Sequence, residues 1–235
     1  MPLVSVVMPI YNSQLYLGEA IKNIMSQTMD DFELILVNDG SLDTSGEEID
    51  RWKAQYPDKI KTIHKENGGT GSALNAGFAI ATGEFGTWAA SDDVKYPRYL
   101  ELLSYYLRKH PEVGMAFSAF HHEGVHQDIF LPGDLYDENG IFETFVQESR
   151  TKCMTGTCFM FRMSLKKQVG DFAFGAGEDY LMGVKMGIAG KVGYLPVVLG
   201  RWRSNPEGLT AQLERGLPLT QQPAVDAMRL AREHG

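Results

Sequence analysis

The chain has 235 residues, 43% of them hydrophobic, and a formal charge of -8, enough length and apolar content for one large domain or two closely packed lobes. The acidic balance, without any cluster of Lys or Arg, excludes a nucleic-acid binder, whose phosphate contacts need concentrated positive charge. No apolar run approaches the roughly 20 residues of a transmembrane helix, and Met1 leads straight into an apolar run rather than a leader, so a cytoplasmic protein is expected, with peripheral contact at the inner membrane face left open.

Residues 4–10, VSVVMPI, form a continuous apolar run suited to the interior of a parallel sheet, with Pro9 near its end. After Tyr11-Asn12-Ser13, apolar residues Leu17, Ala20, Ile21, Ile24 and Met25 keep helical spacing to about Gln27, and Asn12 or Ser13 is placed to cap the first turn. A second apolar strand, 32–37, runs into Asn38-Asp39-Gly40-Ser41, and a helix over 44–55 follows with its acidic residues early, as the helix dipole favours. A short strand at 60–64 leads to the glycine-rich loop 67–71 and a helix over 72–81. That loop lacks the G-x-G-x-x-G and P-loop signatures, which argues against a Rossmann dehydrogenase and an ATPase.

Residues 84–90 form the next buried strand, and Ser91, Asp92 and Asp93 fall where it leaves the sheet, the edge at which open parallel sheets bind ligands. Two adjacent carboxylates repel one another, and a hard divalent ion such as Mg²⁺ or Mn²⁺ relieves that repulsion. A metal-bound diphosphate is the first hypothesis for this pair; a polar loop capping the next helix is the plainer one. The β-α alternation through Asp93 makes a doubly wound, Rossmann-like half of an α/β fold.

Beyond it, Leu100, Leu103 and Leu107 mark an amphipathic helix over 97–110, and 113–120 is a strand. Residues 121–140 are polar, acidic and broken by glycine and proline, as in a loop over a site or a surface connection. His122 and His126 have the spacing of two metal ligands on a helix, but the stretch is not helical and they read as solvated. A helix over 141–148, a strand over 154–162 and a short helix over 164–169 follow. The two cysteines, Cys153 and Cys158, are too few for a disulfide framework and read as core thiols. Residues 172–177 are aromatic and glycine-rich and deliver Glu178-Asp179 to the start of a helix ending near Ala189. A last strand, 192–199, ends in Arg201-Trp202-Arg203, and the tail from Pro223 is a surface helix.

With MPIYN, VNDGS, NGGTGSALNAG, GEFGTWAASDD and GEDY in this order over roughly residues 3–210, the sequence resembles the family-two glycosyltransferases of the GT-A fold. The resemblance implies a single catalytic domain with a nucleotide-sugar half (1–95), a central mostly parallel sheet, an acceptor-binding half (96–210) and a helical tail (211–235). It also implies transfer of a sugar from a nucleotide diphosphate, most simply a UDP-sugar, to a hydroxyl of a glycan or lipid-linked glycan, as in polysaccharide biosynthesis, with inversion. By the same resemblance, the main chain at Pro9 and the Tyr11 ring flank the base and Asp39 accepts its imide hydrogen. Asn67 and Gly68 lie along the nucleoside, Asn12 and Ser91 belong to the donor site, and Asp92 sits near ribose or sugar. Asp93 ligates Mn²⁺ or Mg²⁺, Asp179 is the base, and Glu178 supports it or meets the acceptor.

Two departures stand out. Many relatives carry an acid two positions before the first Asp of the pair, where this chain has Ala90, so Asp93 is expected to hold the metal almost alone. The Arg-x-His that often follows the last core strand is here Arg201-Trp202-Arg203; arginine cannot ligate a cation, and Arg203 is instead expected to pair with the diphosphate through its charged fork. A catalytically silent sugar-nucleotide module and a sugar-nucleotide pyrophosphorylase are the alternatives. The latter needs a glycine-rich loop with Arg and Lys where Tyr11-Asn12-Ser13 stands.

Overall fold

A computed structural model describes residues 1–123, 129–130, 158–175, 177–206 and 208, together with positions 226, 229, 230 and 233. The expected helix over 141–148, the start of the 154–162 strand, most of the 121–140 loop, Cys153, His126 and most of the tail lie outside the described residues.

Strand β1 (Val4–Ile10) is buried almost throughout, and its alternate residues feed two separate apolar layers. Val4, Val6, Met8 and Ile10 face one side with α1 (Leu17–Met25), α2 (Ser45–Gln55) and α4 (Tyr99–Lys109). Val7 faces the other, with Ile35 and Val37 of β2 (Phe32–Asp39), α3 (Thr70–Ala79) and α6 (Glu178–Ala189). Covering both faces is why these strands read as continuous apolar runs rather than as alternating ones.

The remaining strands are β3 (Ile60–Lys65), β4 (Phe85–Trp88), β5 (Val94–Lys95), β6 (Val113–Glu123), β7 (Ile129–Phe130), β8 (Phe159–Arg162) and β9 (Lys191–Arg203), with a short helix α5 (Met163–Val169). They form one nine-stranded sheet in the order β3-β2-β1-β4-β8-β6-β9-β5, with β7 against β6. The first four neighbours pair in parallel, and β6 and β9 pair in parallel further along. Between them, β8 runs antiparallel to both β4 and β6. The β4–β8 seam is short, joining Phe85 to Arg162 and Gly86 to Phe161. It is reinforced from behind: the buried Tyr99 hydroxyl donates to the Phe159 carbonyl at 2.7 Å and meets the Thr87 hydroxyl at 2.5 Å.

Several boundaries move, each for a physical reason. β2 continues to Asp39, because Asp39 pairs with Lys65 in the β3 register. α3 starts at Thr70 rather than 72, because Gly69 takes the positive φ of 82° that turns the loop into the helix. β6 runs to Glu123 and absorbs the first residues of the expected loop; His122 lies on this strand with its ring stacked on Trp202, 4.3 Å between centroids. β9 extends to Arg203 by passing irregularities in its β6 pairing, and its far end pairs with β5, a two-residue strand too short to leave a periodic signal. The expected cap of α1 is corrected as well. Tyr16 occupies that position without a side-chain cap, and the turn is closed by the Leu17 N–H donating to the Ser13 carbonyl. Asn12, at φ 49°, instead accepts from the Leu42 N–H at 2.8 Å.

Candidate active site

The carboxyl ends of β1, β2 and β4 open onto a cleft of about 790 Å³, the edge at which the strand order reverses and ligands bind in such sheets. Of the donor residues expected from the sequence, Pro9, Tyr11, Asn12, Asp39, Asn67, Ser91 and Asp92 line it. Three loops are fastened together around it. The Ser13 and Ser91 hydroxyls meet at 2.7 Å and join the β1 and β4 loops. The Asn12 and Ser13 N–H groups donate to the Ser41 and Ser45 hydroxyls at 3.0 and 2.9 Å and join the β1 loop to the β2 loop. Tyr11 remains half exposed, leaving a ring face free to stack on a flat ligand.

Asp39 is buried, and the loop after β3 is wrapped around it. Gly69 N–H donates to its Oδ2 at 2.8 Å, Gly68 N–H reaches both oxygens, and Lys65 Nζ donates to Oδ1 at 2.5 Å. Gly68 thus shapes the site through Asp39 and is not itself a wall of the cleft. A Cβ on Gly40 would come within 2.8 Å of the Asn67 nitrogen, and Gly40 sits at φ 74°, so glycine is required where the two loops cross.

The aspartate pair divides. Asp92 faces the cleft, and its Oδ2 accepts from Asn205 Nδ2 at 2.9 Å. Asp93, expected to ligate the metal, is 5% exposed and is not among the described lining residues. Its Oδ1 accepts from the Arg203 N–H at 3.1 Å, and its Oδ2 lies 3.9 Å from Lys95 Nζ, also buried. Burial pushes the Asp93 carboxyl up to about 7; Lys95 and the Arg203 N–H work against that shift, and neighbouring Asp92 adds to it. Asp93 thus ties the β4 turn to the end of β9, while Asp92 faces the cleft.

Arg203 lies in a charged network. Its guanidinium donates to Glu19 at 2.8 Å, lies 3.8 Å from Glu123 and sits 4.7 Å above the Tyr16 ring, which itself lines the cleft. Arg201 shares Glu19 and Glu123, so α1, β6 and β9 are tied by one charged network behind the Tyr16 wall.

Glu178 and Asp179 begin α6 after Gly177, which takes a left-handed φ of 89°. Neither carboxylate lines the described cleft, although Gly175 of the same approach does. Burial and then the neighbouring Asp179 push Glu178 up to about 8; burial also raises Asp179, against the Tyr180 N–H that donates to its Oδ1 at 2.7 Å. Two carboxyls held toward neutral pH at a helix start are suited to proton transfer.

Sequence reasoning missed Asn205, 113 residues from its partner Asp92, and the cleft walls Leu15, Tyr16, Thr70 and Ala73; none carries a local signal of its own. Among the described residues no group of three His, Cys, Asp or Glu is placed to cage a metal. Among the described lining residues the carboxylates are Asp39, enclosed by its own loop, and Asp92, which faces the cleft; that set fits a hard cation that arrives bound to a diphosphate and keeps water ligands, and does not fit a cage made by protein alone.

A family model described as "Glycosyl transferase family 2" matches residues 5–170. Curated relatives include an uncharacterized glycosyltransferase of Rickettsia felis, 45% identical over 100 residues, covering 43% of this chain and 16% of the relative. Glycosyltransferase GlyG of Streptococcus pneumoniae is 43% identical over 102 residues, 43% of this chain and 34% of the relative. Among solved structures, TarS 1–349 of S. aureus in complex with UDP-GlcNAc superposes with a TM-score of 0.78 at 19% identity, over 98% of this chain and 65% of that one. The mannosyltransferase PcManGT of Pyrobaculum calidifontis, in complex with GDP-Man and Mn²⁺, gives 0.74 at 22% identity, over 100% and 65%. The chain thus spans less than two thirds of the length of each, and the structural likeness is one of fold.

Proposed function

The chain belongs to glycosyl transferase family 2 and has the GT-A fold, and from that membership we propose that it moves a sugar from a nucleotide diphosphate to a hydroxyl acceptor with inversion. The observation that carries the reading is the cleft itself, where a free aromatic face (Tyr11), a buried and fully oriented carboxylate (Asp39) and a single presented carboxylate (Asp92) meet at one sheet edge. Tyr11 stacks on the base and Asp39 accepts its ring N–H, with Pro9, Asn12 and Asn67 closing around the nucleoside. Ser91 and Asp92 lie at the diphosphate and sugar. When bound, Mn²⁺ or Mg²⁺ offsets the charge that grows on the leaving diphosphate.

Asp92 is the protein ligand in this reading, with Asp93 holding its loop from beneath. Arg203 acts through Tyr16 and the charged network rather than on the diphosphate. Asp179 takes the proton of the attacking hydroxyl, and its raised pKa brings it nearer the value at which a carboxylate is an effective base. Glu178 supports it. A UDP-sugar is the donor proposed, and a glycan or lipid-linked glycan the acceptor. Uracil and guanine both present a ring N–H beside a carbonyl, so either suits Asp39, whereas cytosine presents an acceptor there.

Titration calorimetry with UDP, GDP and CDP, in Mn²⁺ and in chelator, tests this. UDP is expected to bind most tightly and more weakly in chelator, and CDP to bind worst. Equal affinity for UDP and CDP would remove Asp39 from the base, and equal affinity with and without metal would remove Asp92 from the cation. A silent module draws support from the Glu178-Asp179 pair lying off the described cleft wall. Metal-dependent hydrolysis of UDP-N-acetylglucosamine or GDP-mannose without acceptor would exclude it.

A further inference from the structure

One helix touches both ends of the proposed reaction. The N-terminal turn of α3 and the loop before it supply Asn67, Gly69, Thr70 and Ala73 to the cleft and the N–H groups that hold Asp39. One turn further along, the same helix grips the segment that leads to Glu178 and Asp179. Asn75 Nδ2 donates to the Phe172 carbonyl at 2.9 Å, and the Phe172 N–H donates back to Asn75 Oδ1 at 2.8 Å, a reciprocal pair across 97 residues of sequence. Beside it the two backbones are in direct contact. A Cβ on Gly71 would lie 1.9 Å from the Ala173 carbonyl oxygen, a distance that no side chain can occupy, and 3.0 Å from its carbon.

The gripped residue is itself well anchored. Phe172 is buried, stacked on Phe78 of α3 at 5.7 Å and edge-on to Trp88 of β4 at 5.1 Å. From it the chain needs only Ala173 to Gly177 to reach Glu178, and Gly175 within that span lines the cleft. A backbone held at Phe172–Ala173 leaves few residues in which position error can accumulate before the carboxylates.

We infer that Gly71 and Asn75 are positioning residues that set the Glu178-Asp179 carboxylates in register with the bound nucleotide, α3 being the rigid member through which the two sites are coupled. The inference rests on the proposed nucleotide cleft and on Asp179 as base. Asn suits the task because one side chain must both donate to a carbonyl and accept from an N–H of the same residue. Asp at 75 keeps the acceptor and loses the donor. Ala loses both. Gly71→Ala forces the loop away while leaving Asn75 intact.

Hydrogen exchange of the full chain, with and without saturating UDP and Mn²⁺, reads this coupling directly. In the parent, nucleotide is expected to slow exchange across 171–182 as well as across 67–73. In Asn75→Ala and Gly71→Ala the protection at 67–73 should persist, with UDP affinity within about threefold of the parent, while the nucleotide-dependent protection at 171–182 is lost. Asn75→Asp should retain part of it. A role in stability alone would raise exchange at 171–182 equally with and without UDP and keep the difference between them. Retention of that difference in Asn75→Ala, or its absence in a parent that binds UDP, overturns the coupling. Failure of the parent to bind either UDP or GDP overturns the nucleotide cleft and the coupling with it.

Discussion

Two neighbouring aspartates with opposite fates show how much a single step along the chain decides. Asp92 lies in the turn after β4 and Asp93 just ahead of β5, and within that one step Asp92 reaches the cleft and Asp93 the interior. Asp92→Ala is expected to weaken Mn²⁺-dependent UDP binding by tenfold or more while costing less than about 1 kcal/mol of stability, since it gives up one solvent-accessible hydrogen bond. Asp93→Ala is expected to do the reverse. It strands the Arg203 N–H and removes a buried partner of Lys95, at a cost of about 1–3 kcal/mol in urea denaturation. The pair Glu178 and Asp179 is separable by pH. Glu178 is raised from 4.5 to about 8, so its ionisation opposes folding, and the penalty is absent below about pH 4.5 and complete above about pH 8. Glu178→Gln should therefore raise the melting temperature at pH 8.5 and leave it nearly unchanged at pH 4.5. Asp179→Asn should keep nucleotide affinity and lower turnover by a factor on the order of 10² to 10⁴, and a base of raised pKa places the acid limb of the parent's rate profile above the ordinary carboxylate range. The sequence named the carboxylates and, through the family resemblance, set Asp93 on the metal and Asp92 beside ribose or sugar; what sorts them in the fold, Asn205 and Arg203, lies more than a hundred residues away and carries no local signal.

At the level of elements, β1, α2 and α6 are legible because each is a long apolar run or a long helical stretch with clear end signals, and each begins and ends within a residue or so of its expected limits. The start of α3 is not, since its first residues are Thr, Gly and Ser and its helical fate is set by the loop that holds Asp39. β5 and the far end of β9 are not, because each is a strand only through the other. How closely α3 lies on the sheet gives a test of this packing. A Cβ on Gly77 would come within 2.4 Å of Val7 Cγ1 and 3.2 Å of Val37 Cγ2, both fully buried. Gly77→Ala must then lift the helix, at a cost of about 1–3 kcal/mol despite alanine's better helix propensity. At the opposite end of the sheet Glu33 gathers β1, β2, β3 and the turn before β4. Its Oε1 accepts from Ser5, Thr82 N–H and the Thr82 hydroxyl, and its Oε2 meets Lys61 at 2.6 Å. Burial alone would raise its pKa, but these partners outweigh it and hold it below the usual glutamate value. This clamp stabilises the fold above pH 4.5 and weakens as acid drives the pH down through the lowered value, and Glu33→Gln should make the acid limb of the stability profile shallower.

Taken whole, the molecule has one sheet but two differently ordered regions, and the apolar layers do not respect the division. One layer joins Val4 and Leu34 to Val113, Met160 and Leu199; the other joins Val7 and Ile35 to Met115, Phe161 and Val184. Loss of either region therefore exposes core belonging to both, and urea unfolding is expected to be a single transition, coincident by far-UV and near-UV circular dichroism. Two separated transitions would mean that the regions are independent lobes. The pairing of β5 with β9 bears on how chains of this fold are recombined. Residues 94 and 95 precede α4 in the chain, yet they sit at the far edge of the sheet, against Arg201 and Gly200. A chimera cut at residue 95, the limit expected from the sequence for the first half, would take β5 from one parent and its strand partner from another, along with the mismatched holders of Asp92 and Asp93. Grafting a new C-terminal portion onto residues 1–95 should succeed only when residues 91–95 and 199–205 are inherited together, as one discontinuous cassette.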